Sequence, residues 1–572
     1  MEVNDVSFTE ALRRLDAIRD RFTDRVMGGQ VSVWAGSAIS QKRFPNLGAL
    51  LTALLCKLHQ AIADPNDPAD PAFVALRDII GLAGVVGMAP PDPSDHIDTW
   101  PATLRRAVID GLWSRYADVL AVPYRPGGTA KSLALDVLEI DALYADPDTI
   151  PDAEHRLLAL LTQEGVFQHL ITTNWDPLIE RAHNQAANGT ERPALRTVVF
   201  EEDLLGLGDR TPRLNKIHGC AERARQEQRA RDLLVATARK ILEWVDTPER
   251  RAVRQDAVTT ARDHTVLYLG LSGQDANIRL SHIEARLHVD ADQATGAPRV
   301  LFAEREVGTG QREILEAAYG DLFDGPAHDA IKDAALVPLY AKPLLGGLLA
   351  FVLREKLYRF ADANPQPHER DLARRGIDAL VDHVAAVADD IADPDRRWRY
   401  VSDTVARYVS SFNSVFRSGV LLDGPWQYHP VSAQPDLPVS STDAGLALLI
   451  GILATGDADG LWNLEFTPSA PEQLRIHTPL EQTVPVFVVC AKRMTPDLLS
   501  FTPDHDDHLV VHVEGNRASG DADRPDASLR GDLLDRTTNP GRRHELYLDE
   551  VIADGDPVNT LRRTFYDLGL VN

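Results

Sequence analysis

Residues 31–40 read Val-Ser-Val-Trp-Ala-Gly-Ser-Ala-Ile-Ser, an apolar run that ends in a turn of small residues. The run Val31–Trp34 predicts a buried strand, and the glycine and serines after it predict a loop. In open α/β sheets, ligands bind at loops that follow the carboxyl ends of parallel strands. Backbone amides and hydroxyls in such a loop can donate to a phosphate, although a lone Gly-Ser turn is more often only a turn. The candidate binding residues of this loop are Gly36, Ser37, Ala38 and Ser40.

Three further segments repeat this arrangement of an apolar run followed by polar or small residues. An amide and a carboxylate at a strand end suit a carboxamide or a ribose hydroxyl, and an imidazole at a strand end suits a general base. The candidates after the second run are Thr173, Asn174 and Asp176; the third run is followed by His218 and Gly219; the fourth is followed by Gly270, Ser272 and Asp275.

Each of these segments also has a purely structural explanation. Asp176 precedes Pro177, as expected for an Asx turn that caps a helix over Pro177–Ala182. A lone histidine beside an apolar run is usually a satisfied or surface histidine, and the fourth segment fits a turn with a helix cap at Asn277. The order of the four segments, rather than any one of them, makes a shared site the stronger interpretation.

Strand-like runs alternate with helical patterns through the first half of the chain, which predicts an α/β fold with a doubly wound parallel sheet. A helix over residues 8–27 precedes the first strand, and another helix is predicted over Ala230–Val245. The later strands are predicted at Gln168–Thr172, Thr197–Phe200, Leu214–Ile217, Thr265–Gly270 and Arg299–Ala303.

A chain of 572 residues is too long for one core, so we expect two or three domains. Residues 1–335 form the predicted sheet domain, with a helical insertion at about residues 50–160. Residues 336–430 form a helical region, and residues 431–572 form a smaller α/β domain of unknown role. The strands expected there are Val484–Cys490, His508–Val513 and Glu545–Leu548, with a mobile loop over Gly515–His544.

The formal net charge is −25 and no long run of Lys or Arg occurs, so direct nucleic-acid binding is disfavoured. Two arginine clusters are better explained as solvated helix faces than as a basic patch. These clusters are Arg370, Arg374 and Arg375, and Arg396, Arg397 and Arg399.

The cysteines Cys56, Cys220 and Cys490 are too few and too far apart for a disulfide framework or a four-cysteine zinc ribbon. The amino terminus lacks the basic and apolar regions of a secretory signal. The longest apolar stretch, around Ala444 to Ala454, is too short to cross a bilayer. We therefore expect a soluble, cytoplasmic protein with no membrane contact and no bound metal.

In their order, the four segments resemble the sirtuin family. They are most similar to the zinc-ribbon-less, sirtuin-like NAD-hydrolase domains of bacterial antiviral defence proteins. The family patterns are Gly-Ser/Ala-Gly-x-Ser, Thr-Asn-Tyr/Trp-Asp-x-Leu-Ile-Glu, Lys-Leu/Ile-His-Gly and Gly-x-Ser-x-x-Asp. This chain matches them at Gly36–Ser40, Thr173–Glu180, Lys216–Gly219 and Gly270–Asp275, and the resemblance covers roughly residues 20–310. One departure is Ala38, which replaces the second glycine of the first pattern.

The resemblance implies a Rossmann-like domain that takes NAD as its substrate. Gly36, Ser37 and Ser40 would hold phosphates, and Gly270 and Ser272 would contact the adenosine side. Asn174 and Asp176 would lie by the nicotinamide and its ribose, and His218 would be the catalytic histidine. The expected reaction is hydrolysis of NAD to nicotinamide and ADP-ribose, because the segment that grips acyl-lysine peptides in deacylating sirtuins is absent.

Constant loss of NAD would be toxic, so we expect the activity to be switched on by self-assembly or by a defence partner protein. Two alternatives stay open. In the first, the ADP-ribosyl group is transferred to an acyl group or to a protein instead of to water, which would make the chain a deacylase or an ADP-ribosyltransferase. The chain can also be a non-catalytic nucleotide-binding module whose carboxyl half binds a partner. Sirtuin-like domains also resemble the effector half of short-Argonaute pairs, which carry a docking region after the sirtuin part.

Overall fold

The fold is seen in a computed structural model. The residues that it describes are 6–64, 67–87, 89–187, 194–208, 211–243, 247–273, 275–413, 427–432, 439–466, 474–477, 483–489, 508–513, 543–553 and 555–567. Their architecture is α/β: a seven-stranded parallel sheet and a five-stranded mixed sheet, with helices around and between them.

The first sheet has the strand order β3-β4-β2-β1-β5-β6-β7, and all of its pairs are parallel. The chain passes from β1 to the β2 side and later returns to β5 on the other side, so β1 lies at the switch point of a doubly wound sheet. The strands are β1 (Val31–Ala35), β2 (His169–Thr172), β3 (Arg196–Val198), β4 (Arg213–Lys216), β5 (Thr265–Leu269), β6 (Val300–Ala303) and β7 (Leu336–Val337).

Both faces of the sheet are buried at β1, β5 and β6, which explains why these strands are nearly continuous apolar runs rather than alternating ones. Val31 and Val33 pack into the core on one face, and Trp34 packs into the core on the other face. Trp34 is paired with Ile171 on β2 and Tyr268 on β5. The predicted strands are confirmed to within one or two residues at each end. The short β7 was not predicted.

Many of the helices that flank and connect the first sheet are short, and two helices that the sequence predicts are interrupted. The expected helix over residues 8–27 contains a π-helical turn at Arg19–Thr23. These helices are α1 (Phe8–Asp16), α2 (Asp24–Met27), α3 (Leu47–Gln60), α4 (Pro71–Leu82), α5 (Ala102–Trp113), α6 (Tyr116–Val119), α7 (Ile140–Tyr144), α8 (Ala153–Gln163), α9 (Leu178–Ala187), α10 (Ala221–Gln226), α11 (Gln228–Asp232), α12 (Ala238–Glu243), α13 (Arg251–Asp263), α14 (Ala276–Ala285), α15 (Ala291–Gly296), α16 (Thr309–Tyr319) and α17 (His328–Ala334).

The prediction of one helix over Ala230–Val245 is wrong. Helix α11 ends at Asp232, and α12 begins only at Ala238. Between them the backbone is drawn to the loop after β4: the Val235 amide donates to the His218 carbonyl at 3.0 Å, and the Arg250 guanidinium donates to the Leu233 carbonyl at 2.7 Å. These long-range hydrogen bonds replace the helical ones.

The helical insertion between β1 and β2 packs around an apolar cluster of its own. The cluster joins α3, α4 and α5, with Leu54, Ile79 and Leu112 fully buried in it. The sheet and the insertion are therefore packed around different clusters, and the insertion's cluster also takes in Ala224, Leu234 and Ala236 from the chain after β4. The space between the sheet and the insertion is where the candidate site lies.

The chain after β7 continues in long helices: α18 (Ala341–Asp362), α19 (Pro367–Asp390), α20 (Pro394–Asn413) and α21 (Ser441–Ala458). Helix α18 packs against α1, α8, α19 and α21. One continuous core therefore runs from the first sheet through these helices to the second sheet. The predicted domain boundaries at residues 335 and 430 stay a prediction, and the continuous core contains residues from both sides of each boundary.

The second sheet has the order β12-β11-β10-β9-β8, parallel from β10 to β12 and antiparallel from β8 to β10. Strands β8 and β9 were not predicted, and Gly515–His544 lies almost wholly outside the described residues. The elements are β8 (Asn463–Phe466), β9 (Leu474–His477), β10 (Thr483–Val489), β11 (His508–His512), β12 (Arg543–Tyr547), α22 (Leu548–Ile552) and α23 (Pro557–Asp567).

The apolar stretch Ala444 to Ala454 forms the middle of α21, which is buried against α19. Across the described parts of the chain, no helix combines the length and the apolar character that a membrane crossing requires. The arginine clusters are not uniformly solvated: Arg397 is buried and donates to the carbonyls of Ile391 and Val6.

Candidate active site

A cavity of about 510 Å³ opens at the carboxyl edge of the first sheet, between the strand-end loops and the helical insertion. Its volume lies in the range of small-molecule sites, about 300–1,000 Å³. The lining residues from the strand-end loops, here called the polar wall, are Ser37, Ala38, Ser40, Thr173, Asn174, Asp176, His218, Gly270, Ser272, Asp275 and Glu304. The lining residues from the insertion, here called the apolar wall, include Leu47, Leu50, Leu51, Trp113, Tyr116, Leu120, Leu138 and Ile140.

The structure thus brings candidate residues of all four segments to one cavity, which Gly36 and Gly219 do not line. Gly36 lies just behind the wall, where its carbonyl accepts a hydrogen bond from the Asn174 side chain at 3.1 Å. A side chain at Gly36 is excluded, because a Cβ atom there would lie 2.5 Å from the Gly270 carbonyl oxygen. Glycine at position 36 therefore has a packing role rather than a direct place in the cavity.

The loops after β1 and β5 interlock, which changes what the first loop can offer a ligand. The amides of Gly36 and Ala38 donate to the carbonyls of Leu269 and Gly270, at 2.9 and 3.2 Å. The loop itself forms one 3₁₀ turn, Ser37–Ser40, and the next helix, α3, begins only at Leu47. The donors that remain in this loop include the hydroxyls of Ser37 and Ser40.

Ala38 has a physical reason to differ from glycine at this point. Gly270 adopts the left-handed conformation, with φ at 59°, and a Cβ atom there would lie 2.8 Å from the Ala38 methyl group. The methyl group therefore packs against the bare backbone of Gly270. The contact fixes the spacing of the two loops.

Asn174 is buried and oriented by its neighbours. Its amide nitrogen Nδ2 faces the Gly36 carbonyl at 3.1 Å and the Ser40 hydroxyl at 3.3 Å, and its backbone amide donates to the Thr172 hydroxyl. Because a carbonyl can only accept, the nitrogen must face Gly36, which sets the orientation of the side-chain amide. The side-chain oxygen Oδ1 is buried and has no hydrogen-bond partner among the described residues. A buried acceptor of this kind is expected to be satisfied by a ligand or a water.

Asp176 is held by hydrogen bonds at its carboxylate and at its backbone carbonyl. Its carboxylate accepts from the Leu178 amide at 3.1 Å, so the predicted cap of the following helix exists; that helix runs to Ala187. Its backbone carbonyl accepts from the ammonium group of Lys216, which also pairs with Glu180 at 3.0 Å. Asp176 thus caps a helix and lines the cavity at once.

The Lys216–Glu180 pair lies directly beneath the polar wall. The Lys216 side chain is 0% exposed, and the neighbouring carboxylates raise the pKa of its ammonium group against the cost of burial. Both residues come from the motif segments, at positions 216 and 180. The pair joins the end of β4 to helix α9, and removal of either partner would leave an uncompensated buried charge.

His218 is buried and lines the cavity, and Gly219 after it has φ at 93°, so the chain turns as the sequence predicts. Burial lowers the pKa of the His218 imidazole; Asp275 acts in the opposite direction, and Arg250 adds to the lowering. The neutral imidazole is therefore the stable form at neutral pH, as general base chemistry requires. Arg250 is itself buried and clamps the loop by donating to the Ile217 carbonyl at 2.8 Å.

Sequence reasoning missed several residues of the site. Asn277, which we expected to cap a helix, lies in the first turn of α14, with its side-chain nitrogen 3.5 Å from Nε2 of His218. The capping position is occupied by Asp275. Glu304 follows β6 into the cavity, and burial raises the pKa of its carboxyl group. His155 reaches Ser40 from α8 at 3.0 Å.

The apolar wall was also missed, because it is contributed by the insertion. Phe44, Tyr144 and Trp175 add aromatic rings where the two walls meet; Tyr144 packs on Phe44 and Trp175 with ring centroids 4.7 and 5.5 Å apart. Burial, with a contribution from Asp176, raises the pKa of Tyr144 to about 12. One half of the cavity therefore suits polar atoms, and the other suits a ring or an aliphatic chain.

Three of the four strand-end loops lie in a stretch of chain that matches a family model. Residues 168–320 match the family model of the SIR2-like domain. The match spans β2 to α16, with three of the four motif segments, and supports a sirtuin-like family and an NAD-related function. No curated protein matches the chain.

The parts of the chain that the structure describes contain no group of three or more His, Cys, Asp or Glu side chains arranged to hold a metal ion. Cys56 and Cys220 are free thiols, and Cys490 lies outside the described residues.

Proposed function

We propose that this protein hydrolyses NAD⁺ at the bond between nicotinamide and ribose, with nicotinamide and ADP-ribose as products. The observation that carries the proposal is the convergence of four separate motif loops on one cavity, whose polar wall holds Asn174, Asp176 and His218. The SIR2-like match over residues 168–320 supports NAD as the ligand.

The electrostatics of the cavity favour the cationic end of NAD⁺. Among the described residues that line it, three are carboxylic acids and none is Lys or Arg; the acids are Asp176, Asp275 and Glu304. When the glycosidic bond breaks, its electron pair leaves with the pyridine nitrogen, and the positive charge moves to the ribose. Asp176, 4% exposed, supplies a negative potential that stabilises this developing charge.

Asn174 and His218 have complementary roles in this proposal. The unpartnered oxygen of Asn174 accepts a hydrogen bond from the nicotinamide carboxamide or from the attacking water. The neutral His218 takes a proton from that water or from a ribose hydroxyl as the new carbon–oxygen bond forms. The overall reaction consumes one water and releases one proton, so it balances without a metal or a redox partner.

The biological setting that we propose is antiviral defence, in which a triggered protein depletes NAD⁺. The chain carries a large helical and α/β region beyond the matched domain, and this region packs directly on the core of the first sheet. Such continuity allows assembly or partner binding at one end to affect the cavity at the other. Self-association or a defence partner protein is the switch that we expect.

The test is release of nicotinamide from NAD⁺ by the purified protein, alone and with candidate triggers, measured by liquid chromatography and mass spectrometry. Asn174→Ala and His218→Ala should abolish the release. Consumption of NAD⁺ by both variants at the wild-type rate under activating conditions would falsify the assignment.

A second candidate is deacylation, and the apolar wall is the observation that favours it. Leu47, Leu51 and Ile140 present an aliphatic surface to the same cavity, which suits an acyl chain. The two candidates differ in their products, because deacylation yields O-acyl-ADP-ribose instead of ADP-ribose. The same chromatogram, run with an acylated peptide present, decides between them.

A further inference from the structure

His155 lies behind the polar wall and has both ring nitrogens engaged. Its Nδ1 atom lies 3.1 Å from the Asp152 backbone amide, and its Nε2 atom lies 3.0 Å from the Ser40 hydroxyl. The His155 side chain is fully buried at the start of α8, where Nδ1 completes a capping box with Asp152. None of the four motif segments contains this residue.

The position of the proton on His155 follows from these contacts. A backbone amide can only donate, so Nδ1 must be the acceptor, and the proton of the neutral ring must be on Nε2. Burial lowers the pKa of His155 to about 4, so the ring stays neutral at physiological pH. Nε2–H therefore donates to the oxygen of Ser40.

Ser40 receives a second hydrogen bond at the same oxygen, from Nδ2 of Asn174 at 3.3 Å. Both lone pairs of the hydroxyl are thereby occupied, so its hydrogen has to point elsewhere. Ser40 is 4% exposed and lines the cavity, and the structure gives its hydroxyl no acceptor among the described residues. The free donor is available to an oxygen atom inside the cavity.

We propose that His155 is a positioning residue that makes the Ser40 hydroxyl an obligatory hydrogen-bond donor to a substrate oxygen. The inference rests on the proposed function for the identity of the substrate, NAD⁺. It extends that function in two ways. Ser40 acts through its hydroxyl and not through a backbone amide, and the amino-terminal end of α8 becomes part of the binding machinery.

The direct test is a double-mutant cycle on NAD⁺ affinity, measured by calorimetry. Ser40→Ala removes the donor, and His155→Leu removes the group that orients it, so each should weaken NAD⁺ binding by about tenfold, the loss expected for one buried hydrogen bond. If His155 acts through Ser40, the double variant should bind no more weakly than Ser40→Ala alone. His155→Gln, which restores an N–H donor near the position of Nε2, should recover most of the affinity.

His183→Leu is the matched control. His183 is also buried on a helix, has Nδ1 3.4 Å from a backbone amide and Nε2 3.0 Å from a side-chain amide, and does not line the cavity. It should lower the melting temperature to a similar extent as His155→Leu and leave NAD⁺ affinity within twofold of wild type.

Independent, multiplying losses in the double variant would overturn the inference, and so would unchanged affinity in His155→Leu. These outcomes leave the hydrolase proposal intact, since they concern only the orientation of Ser40. If the wild-type protein binds NAD⁺ and the cycle shows coupling, but no trigger produces nicotinamide, the hydrolase proposal fails and the inference about His155 stands. A wild-type protein that binds no NAD⁺ overturns both.

Discussion

The two walls of the cavity are built in opposite ways. The polar wall consists of strand-end loops, and hydrogen bonds from a neighbouring loop orient its central amide, Asn174, which bonds to Gly36 and Ser40. The apolar wall consists of side chains from the insertion, such as Leu51 and Leu138, that are fixed by packing alone. The comparison indicates that chemistry depends on the first wall, and that enclosure and affinity depend on the second.

The largest expected effect is on stability and comes from the buried pair beneath the polar wall. Lys216→Met leaves Glu180 buried without its cation, so we expect the free energy of unfolding to fall by about 3–5 kcal/mol. Urea denaturation followed by circular dichroism measures this loss. The double variant Lys216→Met/Glu180→Leu should recover most of the stability.

Lys356→Met is the matched control. The Lys356 ammonium group pairs with the buried Glu164 carboxylate at 2.7 Å, and neither residue lines the cavity. The Lys356→Met variant should show a comparable fall in the free energy of unfolding. Its NAD⁺ affinity should match the wild type at temperatures where the protein is folded. If the free energy of unfolding of Lys216→Met lies within about 1 kcal/mol of the wild-type value, the pair does not support the polar wall.

The next effect is catalytic. Asn174→Ala removes the unpartnered acceptor and the bridge between Gly36 and Ser40, so we expect nicotinamide release to be lost, with a fall of at least about 100-fold, the usual loss for one transition-state hydrogen bond in an enclosed site. Asn364→Ala changes a buried asparagine at the end of α18, where its side chain bonds to the Ala361 and Ala444 carbonyls. Its rate should match wild type, and equal losses in the two variants would contradict the prediction.

A smaller effect concerns pH. Burial lowers the pKa of His218, and a general base is active when deprotonated, so the acid limb of the kcat/KM profile should have its midpoint below the ordinary histidine value of 6.5. The negative charge of Asp275 opposes this shift, so Asp275→Asn should move the limb to still lower pH. A limb above pH 6.5, or one that moves upward in the variant, would exclude His218 as the base.

The smallest effect is expected on the apolar wall. Trp113 lines the cavity at its mouth and is 45% exposed. Trp113→Ala should raise KM for NAD⁺ about three- to tenfold and leave kcat within about twofold, because the contact is equal in the ground and transition states. Steady-state kinetics on the activated protein separates the two constants. A large drop in kcat would mean that this wall also takes part in chemistry.

The polar wall could be predicted because its residues are adjacent in sequence to the strands that carry them. The strands β1, β2, β4 and β5 are buried along almost all of their length, and the parallel sheet brings the residues that follow them to one edge. The SIR2-like match covers three of these four segments. Local pattern and topology were sufficient here.

The rest of the site depends on contacts between distant parts of the chain. His155 meets Ser40 across 115 residues of sequence, and no local pattern marks a histidine on an amphipathic helix as part of a site. The prediction of a helix over Ala230–Val245 is wrong for the same reason. Val235 and Leu233 are held by hydrogen bonds to the distant residues His218 and Arg250. Strand β9, four residues long, was too short for its alternation to be distinguished from a loop.

The most direct test of the central claim is a product analysis of NAD⁺ incubated with the wild-type protein and with Asn174→Ala, at matched folded concentrations and with the same candidate triggers. We predict nicotinamide and ADP-ribose in equal amounts from the wild-type protein and neither from the variant. Equal product formation by both proteins, or intact NAD⁺ that neither protein binds, would contradict the account.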